Sequence, residues 1–189
     1  LGLAISSPFM KAESKKNMNI VFIGNSITQG ALIATPSHDA PPVKAALYLT
    51  KQPSVASVKY SNQGVSGCTT TDYLPTTETL FPKAKAAADK FADETWATLI
   101  FSIMLGTNDS AITGPNGAPA SPEKYEENMK AIINQLLALY PSCKIVLHRP
   151  VWYSPNTYNG AMYLKEGLNR LQSYYPVLQS LVEEYAKRF

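Results

Sequence analysis

Short apolar runs alternate with helix-patterned segments along most of the chain. Residues 18–23 (MNIVFI) form a compact apolar run closed by Gly24, the pattern of a strand buried on both faces. Asp39 stands where a helix cap would, with Pro41 and Pro42 in the first turn and a helical pattern over 43–49. Residues 56–61 alternate as a second strand, with Val58 and Tyr60 between polar neighbours. An alanine-rich helix is predicted over about 83–92, and the longest apolar run, 97–105 (ATLIFSIML), reads as a central strand. The next helix has the fullest signature. Ser121 suits the N-cap and Pro122 the first helical position. Met129, Ile132, Ile133, Leu136, Leu137 and Tyr140 then recur at helical spacing as one buried stripe, and Pro141 ends it. Residues 144–148 (KIVLH) give a fourth strand, and two helices, about 161–174 and 177–187, follow. Strands separated by helices predict an α/β fold with a parallel sheet. The long irregular segments 64–82, 106–121 and 149–160 follow strands, and in such sheets sites form beyond the strands' carboxyl ends.

At 189 residues the chain is the size of one domain, and 45% hydrophobic with 16% charged residues is a foldable composition. Net charge is +3, with Lys11, Lys15 and Lys16 clustered near the start, so no basic stripe suggests nucleic acid. No apolar run approaches the length of a membrane span. Two cysteines and two histidines exclude a disulfide-dense scaffold and argue against a Cys/His metal site. Cys68 and Cys143 are expected as unpaired thiols. Residues 1–16, an apolar stretch with small residues ahead of the lysines, read as a signal-peptide remnant, with a disordered leader or a first strand as alternatives. A remnant places the protein outside the cell or in a periplasm.

Three strand exits carry candidate chemistry. Gly24-Asn25-Ser26-Ile27-Thr28 places a serine at a tight exit, as a nucleophile or as a helix cap. In Asn62-Gln63-Gly64-Val65-Ser66-Gly67-Cys68, the two glycines permit positive φ or close approach of backbone to a ligand, or simply a turn. In Leu105-Gly106-Thr107-Asn108-Asp109, the asparagine amide suits an oxyanion donor or an Asx turn. Each is ambiguous alone. At the ends of three successive parallel strands they converge, and a nucleophile with several donors is what acyl transfer requires.

The segments IVFIGNSITQG, NQGVSG and LGTND resemble the first three blocks of the SGNH hydrolases, also called GDSL esterases/lipases. The resemblance covers about 18–150. It implies a three-layer α/β/α, flavodoxin-like fold, with Ser26 as nucleophile and oxyanion N–H donor, Gly67 as oxyanion glycine and Asn108 as oxyanion asparagine. It implies no metal and no organic cofactor. Asn25 departs from the family's aspartate while keeping one acceptor, and Cys68 stands where many members carry aspartate. Asp109 is expected as a structural neighbour of Asn108.

A serine nucleophile needs a base, and the family takes its Asp and His from a D-x-x-H motif after a fifth strand. No D-x-x-H occurs in this sequence. The chain therefore reads as four of five expected strands, with a domain over 17–189 lacking its last strand–helix unit and the triad Asp and His beyond Phe189. The missing unit is cleaved, disordered or on a separate chain. A start without Met and a finish at Phe189 fit two truncated ends. His148, at the exit of the fourth strand, is the alternative base or a substrate contact, and equally a histidine bonding its own loop. His38 is not favoured.

After the fourth strand, Arg149, Trp152, Tyr153 and Tyr158 suggest a sugar-stacking platform, or rings packing a loop. The loops are rich in Thr, Asn, Ser, Gly and Pro rather than aliphatic residues, which points to short acyl groups on a polar carrier. The segments from NQGVSGCTT to HRPVWYSPNTYNG are similar to the carbohydrate O-acetylesterases of gut bacteria, including those acting on acetylated sialic acids. The expectation is a serine esterase acting on O-acetylated glycans or a small-molecule ester. The alternatives are a broader acyl hydrolase (lipase or thioesterase) and a non-catalytic glycan-binding module.

Overall fold

The computed structural model describes residues 14–187. Four strands, β1 (Lys16–Gly24), β2 (Val55–Gly64), β3 (Thr98–Met104) and β4 (Lys144–Leu147), form one sheet in the order β2-β1-β3-β4. All three pairings are parallel. The expected leader lies almost wholly outside the described residues, and β1 begins at Lys16. Between and after the strands run α1 (Ser26–Gln29), α2 (Pro36–Asp39), α3 (Pro41–Thr50), α4 (Phe81–Asp89), α5 (Pro122–Leu139) and α6 (Leu164–Ala186).

Alternation along the strands divides the sheet into two faces. Val21, Ile23, Phe101, Ile103 and Leu105 enter the main core with α4, α5 and α6. On the other face, Phe22, Ser102, Met104 and His148 border a hollow that Pro42 and Ala45 of α3 close. This is the three-layer α/β/α arrangement that the family resemblance implies. The order 2-1-3-4 puts the reversal of winding beside β1, so the loops after β1, β2 and β3 meet above that point.

α5 forms as its sequence predicts: Ser121 caps it, its hydroxyl accepting from the Lys124 N–H at 3.1 Å, and Met129, Ile132, Ile133 and Leu136 are buried. Two expectations are corrected. The predicted last two helices are one, α6, which runs through Pro176. A proline inside a helix costs about 3 kcal/mol. Burying a Leu side chain returns roughly 1.5–3 kcal/mol, and α6 buries Leu168, Leu171, Leu178 and Leu181 on one stripe. Asp39 does not cap α3, whose N-cap is Ala40 with no side-chain bond. Pro41 and Pro42 have no N–H to offer a capping carboxylate. Asp39 instead ends α2 and pairs with Lys44 at 2.6 Å, which holds its carboxyl below the usual range.

Candidate active site

Ser26 follows β1 directly. Asn25 is the N-cap of α1, its Oδ1 accepting from the Ile27 N–H at 3.0 Å. The acceptor kept by asparagine is thus the one in use, and the cap reading of Ser26 is corrected: Ser26 is the first helical residue, half-buried, with no capping task. α1 is a single turn, ended by Gly30 at φ 83°.

The loop after β2 is fastened to this turn at several points. Val65 N–H and the Cys68 thiol both donate to the Gly24 carbonyl, at 3.0 and 3.2 Å. Asn62 Nδ2 donates to the Thr28 carbonyl at 2.9 Å, and Ser66 N–H to Gln29 Oε1 at 2.7 Å. The two glycines of this loop serve different needs. A Cβ on Gly64 would overlap the Gln29 backbone nitrogen, whereas Gly67 sits at φ 77° beneath open space. Gly64 therefore allows the loop to lie against the nucleophile turn, and Gly67 allows the chain to turn with its N–H accessible.

The loop after β3 closes the group. Asn108 is buried, and its Nδ2 donates to the Cys68 carbonyl, next to Gly67, at 2.8 Å. Asp109 is fully buried and accepts from both the N–H and the hydroxyl of Thr70. Asn128 of α5 donates to the same hydroxyl at 2.9 Å. Burial raises the Asp109 carboxyl to about 6, against the opposing pull of the Thr70 bonds. Asp109 thus fixes the loop after β2 to the loop after β3, the structural part expected of it. Beneath it, Tyr125 and Tyr174 stack at 4.1 Å, their hydroxyls donating to the carbonyls of Leu105 and Ala120. Thr107 Oγ1 is buried without a hydrogen-bond partner among the described residues.

Ser26, Gly67 and Asn108 therefore lie in linked segments at the carboxyl ends of β1, β2 and β3. Among the described residues His148 makes no hydrogen bond to any of the three. Its Nε2 lies 2.8 Å from Ser102 Oγ on the α3 face, and burial lowers its pKa. The bond goes to a hydroxyl of the neighbouring strand rather than to its own loop.

The aromatic loop divides. Trp152 is 56% exposed and Tyr158 is also exposed, as a stacking surface requires. Tyr153 is half-buried with its hydroxyl 2.8 Å from Ser110 Oγ, and Arg149 lies over the Tyr175 ring at 5.5 Å. Those two pack the loop. Tyr163, which the sequence reading passed over, donates to Asn108 Oδ1 at 2.6 Å. Nothing local marks it, because its partner is 55 positions away.

Cys68 and Cys143 are both buried free thiols, as expected. Burial and the nearby Asp72 and Asp109 push the Cys68 thiol up to about 12. Among the described residues no helix is long and apolar enough to cross a membrane.

Residues 22–187 match the family model of the GDSL-like lipase/acylhydrolase family. No curated protein matches the chain in sequence. Among solved structures, an acetylxylan esterase from Geobacillus stearothermophilus, in a catalytic mutant form, is similar with a TM-score of 0.58 and 22% identity, over 92% of this chain and 75% of that one. A protein of Parabacteroides merdae assigned as a GDSL-like lipase gives 0.66 and 19%, over 92% and 76%. An SGNH-hydrolase family esterase gives 0.54 and 19%, over 90% and 74%. At these identities the likenesses show a shared fold. The family match spans most of the chain, and the chain belongs to the GDSL-like lipase/acylhydrolase family. Its class is that of the carboxylic ester hydrolases.

Proposed function

We propose that this chain carries the nucleophile and oxyanion face of an exported serine esterase that removes O-acetyl groups from carbohydrate. The observation that carries the reading is the linking of the segments that hold Ser26, Gly67 and Asn108, through Cys68 and Gly24. Ser26 Oγ attacks the acetyl carbonyl. The N–H groups of Ser26 and Gly67 and the free N–H of the Asn108 amide hold the negative oxygen of the tetrahedral intermediate. The sugar hydroxyl leaves with a proton, and water then releases acetate from Ser26.

The proton carrier in this reading is a histidine held by an aspartate on a further strand–helix unit beside β4. Three features support such a unit. β4 is the last strand of the described sheet, with no partner on its outer side. Val146, on the α3 face, is 44% exposed, although parallel sheets are ordinarily covered on both faces. A groove of about 280 Å³ runs along β4, bordered by Ile145, Leu147, Leu181 and Val182. His148 is less favoured as the base, because its Nε2 is engaged with Ser102 Oγ at 2.8 Å.

Carbohydrate is favoured by the exposed Trp152 and Tyr158 and by polar loops around the site. Acetylated sialic acids and other acetylated glycans are the substrates to try first. Export rests on the apolar stretch ahead of the lysine cluster, and sequencing the N-terminus of the protein recovered outside the cytoplasm tests it.

The test of the activity uses the full-length protein with p-nitrophenyl acetate, p-nitrophenyl octanoate and an acetylated glycan. Acetate release abolished by Ser26→Ala is expected. Faster cleavage of octanoate than acetate would replace the acetylesterase by a broader lipase or thioesterase. No adduct of Ser26 with an organophosphonate, together with retained glycan binding, would replace it by a binding module.

A further inference from the structure

The Asn108 side chain makes two bonds of opposite polarity. Nδ2 donates to the Cys68 carbonyl at 2.8 Å, and Oδ1 accepts from the Tyr163 hydroxyl at 2.6 Å. A primary amide has two N–H groups, so one remains for a ligand. With the amide reversed, its oxygen would face the Cys68 carbonyl, acceptor against acceptor. The Tyr163 bond acts on the other end: it fixes the amide plane and draws density from the amide oxygen, which strengthens the remaining N–H as a donor.

Tyr163 is itself held. It is buried just before α6, and burial raises its pKa, so the hydroxyl keeps its proton at neutral pH. Its ring meets the Tyr153 ring edge-on at 5.3 Å, and Tyr153 is bonded to Ser110. The preceding residue, Met162, bridges to Thr113: Ile112 N–H donates to the Met162 carbonyl at 2.6 Å, and Met162 N–H to the Thr113 carbonyl at 3.2 Å. The segment after β4 is thereby clamped to the loop after β3.

We propose that Tyr163 is a positioning residue for the oxyanion donor, locking the Asn108 amide so that its free N–H faces the carbonyl oxygen of the acyl group attacked by Ser26. This rests on the reading of Ser26 and Asn108 given above. Tyr163 touches no reacting atom; it acts through Asn108.

The experiment compares Tyr163→Phe, Asn108→Ala and the double variant in the full-length protein, with p-nitrophenyl acetate as substrate and a boronic acid as mimic of the tetrahedral intermediate. Tyr163→Phe removes one oxygen and is expected to lower kcat roughly tenfold with KM little changed, a smaller loss than the 10²–10³ for removing an oxyanion donor outright. Boronate affinity should fall by the same factor as kcat/KM. In the Asn108→Ala background the same change should alter kcat by no more than about twofold, because the route through the amide is gone. Tyr140→Phe, which loses a hydroxyl bond to Asp89 at 2.6 Å and keeps the ring, serves as control with kcat unchanged. Tyr163→p-aminophenylalanine, which restores a donor at that position, should recover part of kcat and decides the matter if the Phe variant folds poorly. An unchanged kcat in Tyr163→Phe, a loss confined to KM, or an equal loss in the Asn108→Ala background overturns the inference. If Ser26→Ala remains active, the esterase reading falls and takes this one with it. If Ser26→Ala and Asn108→Ala lose activity while Tyr163→Phe does not, only the role of Tyr163 falls.

Discussion

The carboxyl of Asp109 accepts from both the backbone N–H and the hydroxyl of Thr70, in a site with no exposure to solvent. Its pKa of about 6, against 3.8 ordinarily, means that the folded chain holds this proton more tightly than the unfolded one. The associated stability is complete below about pH 4 and is lost as the pH rises through about 6. At 1.36 kcal/mol per unit the loss is up to about 3 kcal/mol. Asp109→Asn does not titrate, so its stability relative to the wild type should rise between pH 4 and 6. Urea unfolding of both proteins across that range checks it, and a constant difference would refute it.

The two glycines after β2 should fail differently on substitution. Gly67→Ala meets no neighbour but carries positive φ, costing roughly 1–2 kcal/mol. Gly64→Ala collides with the Gln29 backbone and must displace the turn that holds Ser26. A displacement near 1 Å at a reacting group costs on the order of 10²-fold in rate. Thermal melting and kcat, measured together, separate strain from displacement.

Thr107 offers a gain in stability. Its buried Oγ1 has no partner among the described residues, and an unpaired buried hydroxyl costs about 1–3 kcal/mol. Thr107→Val keeps the shape and removes the unpaired group, so Cm in urea should rise with m unchanged.

Asn25 caps the nucleophile turn through Oδ1. Asn25→Ala should cost about 1 kcal/mol, and Asn25→Asp close to nothing, because both acidic and amide side chains cap well. Denaturant titration of the two variants gives the comparison.

The thiols should be silent in the native protein. Cys68 at about 12 and Cys143 at about 11 hold almost no thiolate at pH 8, and both are buried. Reaction with Ellman's reagent is expected only after unfolding. Rapid reaction in the native state would contradict the burial.

Much of the architecture was legible because it follows from local rules. The apolar run closed by Gly24 is β1, and Ser121-Pro122 followed by the buried stripe is α5. Errors arose where one rule overrode another. Pro176 reads as a break, yet the buried leucines on both sides carry α6 through it. Asp39 reads as a cap, yet the prolines after it have no donors to cap. For the candidate site, the placing of Ser26, Gly67 and Asn108 at three strand exits was legible, whereas the roles given to them rest on the resemblance and the proposal. Tyr163, Thr70 and Asn128 were not legible, because each acts on a partner 39 to 58 positions away and nothing in their own neighbourhood marks it. The aromatic loop after β4 was legible only as a group. Which rings face solvent depended on Ser110, which gives Tyr153 a reason to turn inward.

The strand order also governs how the molecule assembles. β1 is the first of the described strands in the chain, yet it lies between β2 and β3, and Ile20 pairs with Tyr60 on one side and Ile100 on the other. Its second edge stays bare until chain 80 positions downstream has been synthesised. At roughly 5–20 residues per second, a ribosome leaves that apolar strand half-paired for about 4–16 s. Non-local closure of this kind slows folding, because loop-closure entropy is lost before the contact forms. Ser26 and Asn108 can therefore meet only once β3 has joined β1.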